Sequence, residues 1–134
     1  MANERVFVID DDEDFLEVCA RRLEANRYQV SRFLNAADAV KAMRSAKPDL
    51  IISDVKMPGL NGLEVCDLIR SSEQTKETPI IIMTGFKGKR EYVESLNIKS
   101  LFFMSKPFES DEFLSTVRTA LDSAYLFDER TGKF

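Results

Sequence analysis

The sequence predicts an α/β fold in which helices cover both faces of one parallel sheet. Short apolar runs alternate along the chain with longer segments whose apolar residues recur at helical spacing. Five alternations of strand and helix are typical of a parallel sheet with right-handed crossovers. The length of 134 residues corresponds to a single domain, and neither an internal repeat nor a Gly/Ser-rich linker divides it.

Five segments are predicted to be strands. Four of them are apolar throughout and rich in branched and aromatic residues, which is typical of strands covered on both faces. The other alternates apolar with polar residues, which favours an edge position with one face nearer water. In chain order the segments are Val6–Ile9, the alternating Tyr28–Phe33, Leu50–Ile52, Ile80–Met83 and Leu101–Met104.

The segments between the strands carry apolar stripes that predict five helices. Asn35, Ser110 and Asp12 are expected to be N-caps, because their side chains accept backbone N–H bonds at helix starts. The fourth stripe is short, so we expect that helix to be weakly held. The stripes are Leu16/Cys19/Leu23, Ala36/Val40/Met43, Leu63/Cys66/Ile69, Tyr92/Val93/Leu96 and Phe113/Val117/Leu121/Ala124.

Composition excludes several classes of protein. The chain has no histidine, which rules out serine-hydrolase triads and histidine metal sites. A net charge of −4 argues against direct binding of nucleic acid, and no apolar run approaches the roughly 20 residues of a membrane-spanning helix. Cys19 and Cys66 are too few for a disulfide framework or a zinc site. We expect both to be buried apolar residues in a reducing, cytoplasmic setting.

Polar residues follow four of the predicted strands. Asp10, Asp11 and Asp12 come directly after the first strand, and Asp54 comes after the third. The last two strands are followed by Thr84 and by Ser105-Lys106-Pro107. Because the carboxyl ends of parallel strands open onto one edge of the sheet, we expect these side chains to converge where α/β proteins bind ligands.

This set of residue types suits phosphoryl chemistry. Neighbouring carboxylates repel one another unless they recruit a cation. Oxygen ligands without histidine or cysteine favour a hard ion, Mg²⁺ with Mn²⁺ as the alternative. A carboxylate beside such an ion can attack a phosphoryl group, while a lysine and a hydroxyl neutralise the phosphoryl oxygens. Asp54, Lys106 and Thr84 match these three roles.

The motifs together resemble the receiver domain of bacterial two-component response regulators. The matching residues are Asp10-Asp11, the stretch Ser53–Gly62, Met83-Thr84-Gly85 and Ser105-Lys106-Pro107-Phe108. The resemblance implies a doubly wound (βα)5 domain, flavodoxin-like, with strand order 2-1-3-4-5. It covers residues 1–124, which leaves residues 125–134 as a C-terminal extension or tail.

The resemblance also implies a role for individual residues. Asp54 would accept a phosphoryl group from a phosphohistidine on a histidine kinase or histidine phosphotransfer protein. Asp10, Asp11 and Asp54 would bind Mg²⁺ together with the backbone carbonyl of Lys56. Such a domain catalyses only its own phosphorylation and dephosphorylation, so it is not an enzyme with a separate substrate.

The resemblance implies a conformational switch as well. Thr84 and Lys106 would contact the new phosphoryl group, and Thr84 and Phe103 would act as switch residues. Their movement would remodel the surface around the fourth helix, the fifth strand and the fifth helix, where a phosphorylation-dependent dimer is one outcome. The downstream partner, a separate protein or an attached output domain, is not defined by these residues, and no membrane partner is expected.

Other functions fit the residues less well. A flavin carrier of this architecture needs a Ser/Thr/Gly-rich phosphate loop where Asp10 to Asp12 stand, and three carboxylates there would repel a phosphate. An EF-hand calcium-binding loop is excluded because Phe15 occupies the loop position that requires glycine. The remaining alternative is a receiver-like interaction module that works without phosphorylation. The intact acidic motifs argue against it.

Overall fold

A single parallel sheet of five strands organises the chain. The computed structural model describes residues 3–54, 67–73, 75–84, 101–105 and 109–125. The strands lie in the order β2-β1-β3-β4-β5, so the predicted α/β fold and strand order are confirmed. Their bounds are β1 (Arg5–Ile9), β2 (Gln29–Phe33), β3 (Leu50–Asp54), β4 (Ile80–Thr84) and β5 (Leu101–Ser105).

Three helices have both ends within the described residues. They are α1 (Glu13–Ala25), α2 (Ala36–Met43) and α3 (Ser110–Tyr125), which correspond to the first, second and fifth predicted helices. Residues 67–70 are also helical and fall at the end of the predicted third helix. The predicted fourth helix lies outside the described residues.

Two of the three predicted N-caps are confirmed. Asp12 caps α1 by accepting N–H bonds from Asp14 and Phe15, and Asn35 caps α2 by accepting from Asp38. The prediction for Ser110 is wrong by one residue. Ser110 already belongs to α3, because the carbonyl of the preceding residue, Glu109, accepts the N–H of Phe113 at 2.9 Å.

The core consists of two apolar layers, one on each face of the sheet. Successive strand residues point to opposite faces, so an uninterrupted apolar run supplies both layers. Val6 and Val8 pack with α1 and α3, whereas Phe7 and Ile9 pack with α2. The first layer also contains Cys19, which is fully buried as predicted.

The edge position of β2 agrees with its alternating sequence. Among the described strands it pairs with β1 alone, and its residues are exposed or half-buried where those of β1 are almost all buried. Arg32 of β2 forms ion pairs with Glu17 and Glu24 of α1, so this helix and the edge strand are joined at the surface. Within the described ranges, none of the helices has the length and apolar character needed to cross a bilayer.

Candidate metal centre

The pairing of β1 with β3 determines where the first two predicted site residues stand. Ile9 is the register partner of Ser53 in this parallel pair. The residues that follow, Asp10 and Asp54, therefore lie level with each other at the carboxyl ends of adjacent strands. The sheet order changes direction between β1 and β3, and such a switch point is where open α/β sheets bind ligands.

Three carboxylates meet at this point. One carboxylate oxygen from each of Asp10, Asp11 and Asp54 lies within 4.8 Å of the other two. Asp10 is fully buried, Asp54 is half-buried and Asp11 is exposed. The cluster is thus anchored on its inner side and accessible to solvent on its outer side.

The carboxylate of Asp10 is held by the start of the first helix. Its Oδ1 accepts the backbone N–H of Asp12 at 3.0 Å. The Asp10 N–H donates to the carbonyl of Phe33 on β2 at 3.0 Å, so the backbone of Asp10 is fixed as well. A buried carboxylate that is hydrogen-bonded in this way has little freedom to turn away from its neighbours.

The donor set fits a hard divalent cation. The three groups supply only carboxylate oxygens, the ligand type that Mg²⁺ and Mn²⁺ prefer. Three negative charges so close together repel one another, and a divalent ion between them would relieve this repulsion. The exposed side of the cluster leaves room for the water ligands that Mg²⁺ usually retains.

The remaining predicted site residues are described in part or not at all. Thr84 ends β4, where its backbone pairs with Ser105, and Phe103 pairs with Ile82 in the middle of β5. The predictions about the side chains of Thr84 and Phe103 fall outside what the structure describes. Lys56 and Lys106 also lie outside the described residues.

Sequence reasoning missed a link between Asp12 and the carboxylate cluster. Asp12 was predicted to cap the first helix and also to bring its side chain to this edge of the sheet; its side chain caps the helix and is not part of the carboxylate cluster, whereas its backbone N–H binds Asp10. The spacing of two residues between a carboxylate and a backbone N–H is typical of an Asx turn. Recognising this local pattern in Asp10-Asp11-Asp12 would have predicted the contact from the sequence.

Comparison with known proteins agrees with this geometry. The sequence model of the response regulator receiver domain family matches residues 6–118. Response regulator MprA of Mycobacterium ulcerans (strain Agy99) is 34% identical over 128 residues, which are 96% of this chain and 54% of that protein. The chain spans about half the length of the curated relatives it matches.

Solved structures give the same result. The chemotaxis response regulator CheY4 of Vibrio cholerae superposes with a TM-score of 0.81 at 26% identity, over 89% of this chain and 99% of that one. The signal receiver domain of a histidine kinase from Syntrophus aciditrophicus gives a TM-score of 0.80 at 28% identity, over 90% and 91% of the two chains. The chain belongs to the response regulator receiver domain family of two-component systems.

Proposed function

We propose that Asp54 accepts a phosphoryl group from a phosphohistidine on a histidine kinase or a histidine phosphotransfer protein. The observation that carries the proposal is the convergence of the Asp10, Asp11 and Asp54 carboxylate oxygens within 4.8 Å. These three residues and the backbone carbonyl of Lys56 would hold Mg²⁺. When bound, the ion neutralises the carboxylates and stabilises the negative charge of the phosphoryl oxygens.

Asp54 is the member of the cluster best placed to act as the nucleophile. Asp10 is fully buried and accepts the N–H of Asp12, so it is committed to holding the site together. Asp54 is half-buried and stands at the end of β3, in the centre of the sheet. A donor can therefore approach Asp54 from solvent, while the surrounding strands fix its backbone.

The transfer is an in-line displacement at phosphorus. An oxygen of Asp54 attacks and forms a P–O bond as the P–N bond of the phosphohistidine breaks. The electron pair of that bond stays on the imidazole nitrogen of the donor, which then takes up a proton. The ammonium of Lys106 and the hydroxyl of Thr84 stabilise the phosphoryl oxygens on the acyl phosphate that results.

Phosphorylation would then change the surface of the domain. Thr84 and Phe103, the proposed switch residues, move and remodel the region of β5, α3 and the predicted fourth helix. Driving such an equilibrium from 1:99 to 99:1 requires about 5.5 kcal/mol of differential interaction. A few charge-assisted hydrogen bonds to the phosphoryl group, at about 1.5–3 kcal/mol each, are sufficient.

The domain would comprise residues 1–124, with residues 125–134 as an extension. Its partners would be the phosphohistidine donor and a downstream target, which is either a separate protein or an output domain attached in a longer chain. A dimer that forms on phosphorylation would use the remodelled surface around β5 and α3.

Intact-mass spectrometry tests the proposal. The protein is incubated with acetyl phosphate in MgCl2, and we expect it to gain the mass of one phosphoryl group. Asp54→Asn and an excess of EDTA should each abolish the gain. Asp67→Asn, which removes an exposed aspartate elsewhere, should leave it unchanged. Hydroxylamine should remove the added mass, because it cleaves an acyl phosphate and spares a serine or threonine phosphate.

The same experiment separates the two candidate functions. A receiver-like module that works without phosphorylation would gain no mass from acetyl phosphate. A gain that persists in Asp54→Asn would place the phosphoryl group on another residue. Either result would overturn the proposed role of Asp54.

A further inference from the structure

We propose that Asp12 is a positioning residue for the metal centre: it orients Asp10 through the backbone and is not itself a metal ligand. This role rests on the proposed function, because it presupposes that Asp10 binds Mg²⁺. It assigns to Asp12 an effect on metal affinity in addition to its effect on the helix.

The contact that carries the proposal is a hydrogen bond between neighbouring groups. The backbone N–H of Asp12 donates to Oδ1 of Asp10 at 3.0 Å. Because the Asp10 side chain is fully buried, the direction of its carboxylate depends on partners such as this N–H. Hydrogen bonds to a ligating carboxylate orient it, and their loss lowers metal affinity.

The carboxylate of Asp12 is occupied elsewhere. Its Oδ1 accepts the backbone N–H groups of Asp14 at 3.0 Å and Phe15 at 3.2 Å. The backbone of Asp12 is extended, with φ −90° and ψ 106°, as an N-cap requires. Among the described residues, the group of carboxylates close enough to share an ion contains Asp10, Asp11 and Asp54 and does not include Asp12.

The N-cap hydrogen bonds of Asp12 connect the buried first turn of α1 to the metal centre. Leu16 is buried and Phe15 packs against the same apolar cluster, so the first turn of α1 is fixed to the sheet. The carbonyl of Asp12 accepts the N–H of Leu16 at 3.0 Å, while its side chain accepts two further N–H groups of that turn. These bonds hold Asp12 in a conformation in which its own N–H donates to Asp10. Without the side-chain bonds the helix start frays, and the N–H is no longer held in place.

Calorimetric titration of the metal-free protein with MgCl2 tests this role. Two substitutions distinguish the loss of the helix cap from the loss of the negative charge. Asp12→Asn removes the negative charge and keeps an oxygen that can cap the helix. Asp12→Ala removes both. In 0.5 M KCl, which screens exposed charges, we expect Asp12→Asn to keep the Kd for Mg²⁺ within about twofold of the unsubstituted protein. We expect Asp12→Ala to raise that Kd about fivefold.

A matched control distinguishes positioning from general loss of stability. Asn35 caps α2 as Asp12 caps α1, and the hydrogen bonds described for its side chain join it to Asp38 of its own helix. We expect Asn35→Ala to lower the Tm of the metal-free protein as much as Asp12→Ala does, without changing the Kd for Mg²⁺. If Asp12→Ala is too unstable for titration, Asp12→Thr, a weaker N-cap than asparagine, should give a Kd between those expected for the Asn and Ala variants.

The possible results are separable. A Kd that rises equally in Asp12→Asn and Asp12→Ala would mean that the charge of Asp12 matters, and this would overturn the positioning role. If Asp12→Ala lowers the Tm but leaves the Kd for Mg²⁺ unchanged, Asp12 acts as a helix cap alone, and this result too would overturn the positioning role. Absence of Mg²⁺ binding by the unsubstituted protein would instead overturn the proposed function on which the role depends.

Discussion

Arg118 of α3 forms an ion pair with Glu4, at the opposite end of the chain. The Nη2 atom of Arg118 lies 2.9 Å from Oε2 of Glu4, and the two residues are 114 positions apart. The Glu4 side chain is only 8% exposed, whereas that of Arg118 is 37% exposed. The hydrogen bonds to Glu4 raise the pKa of Arg118 above its already high ordinary value, so the guanidinium stays charged at any working pH. The pair fastens α3 to the start of β1.

We expect Arg118→Met to lower the free energy of unfolding by about 1–2 kcal/mol. The substitution removes a cation that contacts a buried carboxylate, but the partial exposure of Arg118 keeps the loss below that of a fully buried pair. Adding Glu4→Gln to Arg118→Met should recover part of the loss, since the buried negative charge that Arg118 had neutralised is then removed. Urea unfolding of the three variants measures both effects.

The control for this pair is Asp122, which also contacts Arg118. Its Oδ1 lies 3.0 Å from Nε of Arg118, but the Asp122 side chain is 57% exposed. Asp122→Asn should change the free energy of unfolding by less than about 0.5 kcal/mol. A loss in Asp122→Asn equal to that in Arg118→Met would show that the burial of Glu4 is not what matters.

Arg27 is predicted to be a site where glycine stabilises the protein. It adopts φ 70° one residue beyond Asn26, the C-cap of α1, and this conformation costs energy for a residue with a Cβ atom but not for glycine. The turn is a Schellman motif, because the N–H of Tyr28 donates to the carbonyl of Leu23 and the N–H of Arg27 to that of Glu24.

We expect Arg27→Gly to raise the free energy of unfolding by about 0.5–1 kcal/mol, measured by urea unfolding. Arg27→Ala should give no such gain, because alanine keeps the Cβ atom. Arg22→Gly, inside the same helix, should instead lower stability by about 1 kcal/mol. A destabilised Arg27→Gly would mean that the Arg27 side chain contributes more than its backbone strain costs.

The pKa of Glu17 is expected to lie below the ordinary glutamate value. A hydrogen bond from Arg21, whose Nε lies 2.6 Å from Oε1 of Glu17, is the main cause, and the contact with Arg32 adds to it. A lowered pKa in the folded state means that the interaction stabilises the protein above the unfolded-state pKa. This stabilisation is lost as the pH falls through the lower, folded-state pKa.

Carbon-detected NMR titration of the Glu17 carboxyl checks this shift. Arg21→Gln should raise the pKa of Glu17 towards its ordinary value, and 1 M NaCl should act in the same direction by screening the charges. Arg22→Gln removes the same charge from the same helix while keeping the hydrogen bond from Arg21, so it should have the smaller effect. An equal effect of both substitutions would contradict the assignment to a specific bond.

The clustered carboxylates are expected to destabilise the metal-free protein. Asp54→Asn removes one of three charges whose oxygens lie within 4.8 Å, so it should raise the free energy of unfolding in EDTA by about 1 kcal/mol. MgCl2 at about ten times its Kd should stabilise the unsubstituted protein by about 1.4 kcal/mol.

Thermal unfolding in EDTA and in MgCl2 measures both quantities. Asp54→Asn should show a reduced response to MgCl2, and Asp67→Asn should respond as the unsubstituted protein does. NaCl at matched ionic strength controls for screening. Equal stability of Asp54→Asn and the unsubstituted protein in EDTA would contradict the expected repulsion.

Much of the fold was predictable because its determinants are local. The run Val6–Ile9 is apolar at every position, which indicates a strand covered on both faces, and the structure shows this residue by residue. The alternation in Tyr28–Phe33 likewise predicted the edge strand, which the structure shows at Gln29–Phe33. The N-cap of α3 was misplaced by one residue, because a serine next to a carboxylate offers two cap positions that only backbone geometry distinguishes.

The candidate site was predictable as a set of residue types but not as a set of contacts. The sequence shows that Asp10 and Asp54 each follow a predicted strand, and parallel pairing places both residues at the same edge of the sheet. Their level placement depends on Ile9 pairing with Ser53, and a shift of register by one residue would separate them. The roles of the Thr84 and Phe103 side chains, and those of Lys56 and Lys106, stay predictions.

The sequence by itself determined the α/β class, the edge strand and the residues available for phosphoryl chemistry, because hydrophobic periodicity and residue type act over a few positions. The tertiary structure decided which groups come into contact. Three carboxylates converge, the Asp12 N–H binds Asp10, and Arg118 pairs with Glu4, which is 114 residues away. Contacts of this kind depend on strand register and on how helices pack against the sheet. Those are properties of the whole folded chain, and no short stretch of residues encodes them alone.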